Sequence, residues 1–265
     1  MEAPRAPHTE SVRCVLGGTV EFRRFAGLDR PFAPHAHDYP VIGLMRDGRR
    51  LLECRRRRYR LDPGCLLALN PGDVHGCTQE GVRPLVYDSV ALVGVADCPP
   101  LRGPVVKDPA AAARMDDIAA LVDAPVPDDE RLEEAICLLV GQLAVSREAA
   151  PCDHSAQTMA SYLRDHASQT VRLDEVAAAA GLDKYRALRT FSAAFGITPM
   201  RYLASLRVER AREILAAGAS CAEAACAAGF SDQAHLTRAF KERLGMTPGF
   251  YQRAVAADAA KETRP

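Results

Sequence analysis

The strongest constraint on this chain is an internal repeat in its C-terminal part. Phe191-x3-Phe195-Gly196-x-Thr198-Pro199-x2-Tyr202 recurs 49 residues on as Phe240-x3-Leu244-Gly245-x-Thr247-Pro248-x2-Tyr251, and Arg189 and Arg238 each stand two residues before the Phe. Upstream, Glu175-x-Ala177-x3-Gly181 matches Glu223-x-Ala225-x3-Gly229. Two copies of one sequence unit imply two copies of one supersecondary structure. In the second copy, Ser220 and Glu223 have the form of a capping box opening a helix over Cys221–Ala228, which Gly229 ends. Ser231 and Asp232 can cap the next helix, Gln233–Leu244. Its Leu236, Ala239, Phe240 and Leu244 share one face, while Gln233, Ala234, Thr237, Arg238 and Lys241 share the other. Gly245 stands where a helix end needs a left-handed residue, and Pro248 forbids continuation. This is the helix-turn-helix plan, whose second helix enters a DNA major groove.

The first copy reads as helices Leu173–Ala180 and Lys184–Phe195, preceded by Ala156–Ala167 with Met159, Tyr162 and Leu163 inward. Between the copies, Arg201–Ala217 reads as one continuous helix with Leu203, Leu206, Val208, Ala211, Ile214 and Leu215 inward. A rigid helix of that length can set two recognition helices one DNA turn apart, about 34 Å. Phe191, Phe195, Leu236, Phe240, Leu244, Pro199, Pro248, Tyr202 and Tyr251 are assigned to packing and chain reversal.

The run Gly229-Phe230-Ser231-Asp232-Gln233-Ala234-His235, then Arg238-Ala239-Phe240-Lys241, Gly245, Thr247-Pro248 and Tyr251, resembles the C-terminal signature of the AraC/XylS family of bacterial transcription regulators. The likeness spans about Ala156 to Arg253. It implies a sequence-specific transcription regulator rather than an enzyme, controlled by a small-molecule effector and acting on double-stranded promoter DNA. Activation is the commoner mode in that family and would make RNA polymerase a partner. Exposed helical positions together with the resemblance give the expected contacts. In the first module these are Lys184, Tyr185, Arg186 and Arg189, with Arg189 presenting a fork to guanine and Tyr185 reaching a thymine methyl or phosphate. In the second they are Gln233 toward adenine, Arg238 toward guanine, His235 and Thr237 toward phosphate or base edges, and Lys241 on the same face. Ala234 stands where many relatives carry a polar residue, which removes hydrogen-bond readout there.

Charge agrees with site-specific rather than indiscriminate binding. The 34 basic and 34 acidic residues balance, yet basic residues outnumber acidic ones from Arg164 to Arg253. No N-terminal segment has an apolar core with a basic flank and no run approaches a membrane span, so a cytoplasmic protein with no membrane partner is expected. Nine cysteines without a C-x-x-C pair, with Cys137, Cys221 and Cys226 in apolar settings, read as reduced core residues. A redox-sensing pair among Cys54, Cys65, Cys77 and Cys98 is the competing reading.

Met1–Glu10 is polar and reads as a loose tail. Short β segments follow at Val20–Phe25, Val41–Met45, Arg50–Cys54, Tyr59–Leu61, Cys65–Leu69 and Leu85–Leu92, punctuated by turns at Asp47-Gly48, Asp62-Pro63-Gly64 and Asn70-Pro71-Gly72-Asp73. That spacing suggests a barrel or jelly roll with a ligand-sized cavity. His35-x-His37 and Pro71-x3-His75 resemble the two cupin motifs, as the N-terminal half resembles the sugar-sensor-like cupin domain that often precedes this DNA-binding unit. His35, His37, His75 and Tyr87 are the candidate effector contacts. The same histidines are candidate metal ligands, but the carboxylate that metal-binding cupins place after H-x-H is missing, so no metal and no cofactor is expected. The four arginines Arg55–Arg58 read as a solvated hairpin tip.

Pro99–Pro109 leaves the barrel, and Ala110–Val122 and Glu130–Val145 read as helices. The stripe Leu132, Ile136, Leu139, Val140 and Leu143 is core-like, but the resemblance places subunit pairing here, so a homodimer is expected through this region. The expected fold class is two-domain α+β: a cupin-like β-barrel over 1–98, a helical connector over 99–147, a linker over 148–155, an all-α double helix-turn-helix domain joined by a long helix over 156–253, and a tail over 254–265. Two other functions compete with the regulator. A cupin metalloenzyme with a DNA-binding appendage lacks its ligand carboxylate and an acid–base pair, and a purely structural barrel would bind no effector.

Overall fold

A computed structural model describes residues 9–95, 98–145 and 153–262. The tail at 1–8, residues 96–97, the linker residues 146–152 and the end of the tail at 263–265 lie outside the described residues. Among the described residues, ten strands come first: β1 (Thr9–Val15), β2 (Val20–Leu28), β3 (Phe32–His35), β4 (Val41–Asp47), β5 (Arg50–Cys54), β6 (Arg57–Leu61), β7 (Leu66–Leu69), β8 (His75–Gln79), β9 (Leu85–Ala91) and β10 (Val105–Val106). Nine described helices follow: α1 (Pro109–Asp123), α2 (Asp129–Leu143), α3 (His154–Asp165), α4 (Leu173–Ala179), α5 (Lys184–Phe195), α6 (Pro199–Ala216), α7 (Cys221–Ala227), α8 (Gln233–Leu244) and α9 (Pro248–Glu262). None of them is long and apolar enough to cross a membrane.

The strands form a six-stranded sheet, β1-β2-β9-β4-β7-β10, and a four-stranded sheet, β3-β8-β5-β6. The side-chain alternation of a strand sorts the larger sheet's residues into two cores. Val41, Met45, Leu67 and Leu69 face the smaller sheet, while Ile42, Leu44, Leu66 and Ala68 face α1 and α2. Burial on both faces explains why β4 and β7 read as unbroken apolar runs.

The expected barrel is corrected to an open pair of sheets. The larger sheet ends on β1 and β10, the smaller on β3 and β6, and no ladder joins them among the described residues. Helical cover replaces closure at the β1 edge. Asp258 of α9 accepts a hydrogen bond from the Cys14 backbone N–H at 3.0 Å and pairs with Arg13 at 2.9 Å.

α1 starts at Pro109 behind the Asp108 cap and packs with α2 on the outer face of the larger sheet. This placement buries Leu132, Ile136, Leu139 and Leu143 inside the chain, so the stripe expected to pair subunits is spent on the chain's own core. Leu138 is the large apolar residue that α2 leaves exposed.

α3, α4 and α5 close a core around Met159, Leu163, Val176, Ala187 and Phe191, and α7, α8 and α9 close another around Leu236, Phe240 and Tyr251. α6 runs through both, giving Leu203 to the first and Val208 and Leu215 to the second. It begins at Pro199, two residues before the expected start, because Thr198 caps it and Pro fits the first helical turn. Pro248 likewise opens α9, which carries a helix through residues read as a free tail. β1, β3, β8 and β10 are additions to the sequence reading, and they place Glu10 in a strand and His35 and His75 opposite each other in the β3–β8 pairing.

Gly43 of β4 lies under the Tyr87 ring, where an added Cβ would stand 1.9 Å from the phenol oxygen and 2.2 Å from the ring carbon bearing it. Gly43→Ala is expected to destabilise the fold by about 1–3 kcal/mol through forced displacement of Tyr87. Urea unfolding of the two proteins measures it, and equal midpoints would show that Tyr87 moves freely.

Candidate nucleic-acid interface and ligand cavity

The second helix of each pair is built to present a polar face. Asp183 caps α5 by accepting from the Tyr185 and Arg186 N–H groups, and Asp232 caps α8 through the His235 N–H. Both end in a left-handed glycine, Gly196 and Gly245. With Ala187 and Phe191 buried, Lys184, Tyr185, Arg186 and Arg189 are exposed on α5, and Tyr185 is 71% exposed, unusual for an aromatic side chain. On α8, Gln233, Arg238 and Lys241 are exposed. His235 and Thr237 are half-buried: the His235 ring bonds Ser231 Oγ at 3.2 Å and packs on Phe230, and Thr237 donates to the Gln233 carbonyl at 2.8 Å. Those two positions hold the start of the helix as well as facing outward.

The sheets enclose a cavity of about 80 Å³ lined by Phe25, Met45, Leu52 and Tyr87 among others. Its wall contains all four sequence-expected effector residues, His35, His37, His75 and Tyr87. Two lining residues, Arg243 and Leu244, come from α8, so the outward-facing helix has its last turn in the cavity wall. Gly245 is packed so closely that a Cβ would meet Phe25 at 2.9 Å and Phe32 at 3.1 Å. At α5, Arg56 of the β5–β6 turn reaches the Ala193 carbonyl at 3.4 Å. The arginine run is thus an exposed tip, with Arg56 on α5 and Arg55 paired to Asp73 at 2.5 Å.

The three histidines converge. Their ring centroids lie 4.3–5.3 Å apart, and burial holds each imidazole below its ordinary pKa, with the neighbouring imidazoles adding to this at His35 and His37. The rings are therefore neutral at pH 7. Burial also pushes the Cys54 thiol up to about 12 and raises Cys77, which keeps both from the reactive thiolate form that redox sensing needs. The expected core placement of Cys137, Cys221 and Cys226 is corrected: Cys137 and Cys226 lie on the exposed faces of α2 and α7, and Cys221 is half-buried.

Behind the cavity lies a charged network that the sequence reading does not contain. Glu21 of β2 accepts from Arg23 at 2.6 Å, from Arg212 of α6 at 2.7 Å and from the Tyr251 hydroxyl of α9 at 2.6 Å. Arg23 also donates to the Tyr39 hydroxyl at 3.0 Å, and the Arg212 guanidinium lies 5.1 Å from the Tyr39 ring centre. Arg212 Nε donates to Glu209 at 3.0 Å, and the other Glu209 oxygen meets His37 Nδ1 at 2.7 Å. All of these side chains are buried. Burial by itself would raise the Glu21 carboxyl, but Arg23, Arg212 and the Tyr251 hydrogen bond outweigh it and hold the group at about 2. Tyr251 therefore anchors the network as well as packing. A signal was present in the sequence: Glu21 and Arg23 alternate along one strand face, and Glu209 and Arg212 sit at i, i+3 beside the inward Val208 and Ala211.

Comparison with known proteins places this arrangement. An AraC-like ligand-binding domain family matches residues 19–158, and a helix-turn-helix domain family matches residues 176–254. The chain belongs to the AraC family of transcriptional regulators. It is 30% identical over 237 residues to the HTH-type transcriptional regulator YbfI of Bacillus subtilis strain 168, covering 82% of this chain and 86% of that one. With the HTH-type transcriptional activator RhaS of Klebsiella pneumoniae it shares 28% over 124 residues, 46% of this chain and 45% of RhaS. Among solved structures, ToxT from Vibrio cholerae has the same fold, with TM-score 0.55, 11% identity and coverage of 94% of this chain and 99% of that one. Like its relatives, this AraC-family chain is a regulator and not an enzyme: a β-rich ligand-binding domain followed by a helical helix-turn-helix domain.

Glu21→Gln leaves Arg23 and Arg212 buried with one counter-charge fewer, so a loss of about 3–5 kcal/mol is expected in chemical denaturation. An unchanged curve would show that the network adds nothing. Acid acts in two windows. As pH falls below about 6.5 the unfolded imidazoles take protons that His35, His37 and His75 refuse when folded, and between about 4.5 and 2 the same holds for Glu21. Glu209, raised by burial, runs the other way and offsets part of the loss.

Proposed function

We propose that this AraC-family regulator reads double-stranded promoter DNA with two helix-turn-helix modules, α4/α5 and α7/α8, under the control of a small molecule held between the sheets. The observation that carries this reading is the two-sidedness of α5 and α8. Each buries its apolar face in its module and turns a polar face outward, while its C-terminal end abuts the β domain. α6, with 18 residues, is about 27 Å long and spaces the modules for adjacent major-groove segments. Lys184, Tyr185, Arg186 and Arg189 serve the first groove segment, and Gln233, His235, Thr237, Arg238 and Lys241 the second. In this division residues 1–98 bind the effector, 99–147 connect, 148–155 link, and the DNA unit starts at 156.

The effector acts through α8. A cavity of about 80 Å³ is smaller than the 300 Å³ or more of typical ligand pockets, so a ligand of ordinary size makes room by displacing its wall. Arg243 and Leu244 belong to that wall and to α8. A ligand that binds better with α8 displaced shifts the population toward the undocked arrangement. Tyr87 and the cluster of His35, His37 and His75 form the polar part of its site. Relatives named activators, RhaS among them, support activation, with RNA polymerase as the further partner. A promoter-reading protein works in the cytoplasm. Two copies pair through the outer face of α2 around Leu138, since its inner stripe is used within the chain.

Arg189→Ala or Arg238→Ala is expected to cost about 1–3 kcal/mol at the cognate site and to relax one base position. Binding selections on randomised operators with salt titrations test this. Equal loss on every sequence with a shallower salt dependence would show phosphate contact only.

A further inference from the structure

DNA reading leaves the convergence of three buried imidazoles unexplained. His35, at the end of β3, and His75, at the start of β8, are cross-strand partners, and His37 lies two residues beyond His35. One ring nitrogen from each lies within 4.8 Å of the others, and among the described residues no other three His, Cys, Asp or Glu side chains are so placed. The hydrogen bonds fix the tautomers. His35 Nδ1 meets the Ala33 carbonyl at 2.7 Å and His75 Nδ1 the Asp73 carbonyl at 2.9 Å, and a carbonyl can only accept. His37 Nδ1 meets Glu209 at 2.7 Å, where a carboxylate already bonded to Arg212 also accepts. Every Nδ1 therefore carries the proton and every Nε2 keeps its lone pair. No hydrogen bond among the described residues engages any of the three Nε2 atoms. A histidine that ligates a metal through one nitrogen while donating the other N–H to a carbonyl or carboxylate has this arrangement.

We propose that His35, His37 and His75 bind a divalent transition-metal ion of the zinc, iron or nickel class through their Nε2 atoms, and that Glu209 of α6 orients His37 and so couples occupancy of the site to docking of the DNA-binding half. The missing cupin carboxylate does not prevent this, because three neutral imidazoles form a complete ligand set that leaves coordination positions to whatever fills the cavity. Zinc–nitrogen bonds of about 2.0–2.1 Å at tetrahedral angles set the ligand atoms about 3.4 Å apart, so the imidazoles draw together on binding. His37 and Glu209 also line a groove of about 600 Å³ between the β-domain loops and helices α3 and α6, which gives the ion a way in. Glu209 is the one orienting group supplied by a helix of the DNA-binding half: the others are backbone carbonyls of the β domain. By reciprocity, whatever the bound ion gains from Glu209, the docked arrangement gains from the ion.

This goes beyond the promoter-reading function and is tested without DNA. Full-length protein stripped with chelator is titrated with cobalt(II) and zinc(II), followed by calorimetry and by the visible absorption of cobalt. One ion per chain is expected, with zinc displacing cobalt. X-ray absorption on the wild-type cobalt complex gives a test independent of any variant's folding: three imidazole nitrogens in the coordination shell support the site, and an all-oxygen shell overturns it. Stoichiometric binding is expected to disappear in His35→Gln and His75→Gln, and affinity to fall about 10–100-fold in Glu209→Gln. Substoichiometric metal, or full affinity in His75→Gln, refutes the site. An unchanged affinity in Glu209→Gln refutes the coupling to α6.

Discussion

The contact between Glu21 and Arg212 is the interaction on which the arrangement of this molecule depends. It joins a strand of the ligand-binding domain to the helix that spans the DNA-binding half, and both side chains are buried. A buried charge with its partner removed is far costlier than a buried pair, so every member of the network must be in place at once. Two carboxylates and two guanidiniums balance, and Tyr39, Tyr251 and His37 extend the network with further hydrogen bonds. Apolar packing between the halves would tolerate sliding by an ångström or so. Charge-assisted hydrogen bonds do not, and they fix one register of α6 against the sheets.

That register sets what the rest of the chain can do. It puts the last turn of α8 in the cavity wall and the last turn of α5 beside the hairpin tip at Arg56. The two repeated units are equivalent in sequence and in their own cores, but they meet different surfaces of the ligand-binding domain. Phe25, Leu52 and Leu69 of the sheets share one continuous core with Leu236 and Phe240, whereas among the described residues the core of the first unit takes only Ala36 and Val74 from that domain. The second unit is therefore the one most directly exposed to events between the sheets. Gly245 shows the closeness of this contact: its left-handed backbone ends α8, and its lack of a side chain admits the rings of Phe25 and Phe32.

Much of the local structure was readable from the chain. Capping residues, terminal glycines and the helical apolar period placed the helices from 154 to 244 within a few residues, since each signal acts over three or four positions. The apolar runs of β2, β4, β7 and β9 were equally plain. β1, β3 and β8 escaped because their patterns are broken by polar residues whose partners lie elsewhere, Asp258 for the β1 edge and Glu209 just beyond β3 at His37. The apolar stripe of α2 was visible, but which surface it would cover was not, because a stripe looks the same whether it meets its own sheet or a second copy.

The sequence by itself determined the repeat, the family, the polar faces of α5 and α8, and the presence of three histidines in cupin-like positions. These follow from short-range spacing, which the chain carries in its own order. Only the tertiary structure decided that the sheets stay open, that α8 helps wall the cavity, that the imidazoles turn their Nε2 lone pairs free of any hydrogen bond among the described residues, and that Glu21, Arg23, Glu209 and Arg212 neutralise one another. The Glu21–Arg212 pair spans 191 positions of sequence. Contacts of that separation are chosen by the global minimum of burial and charge, which no local pattern encodes.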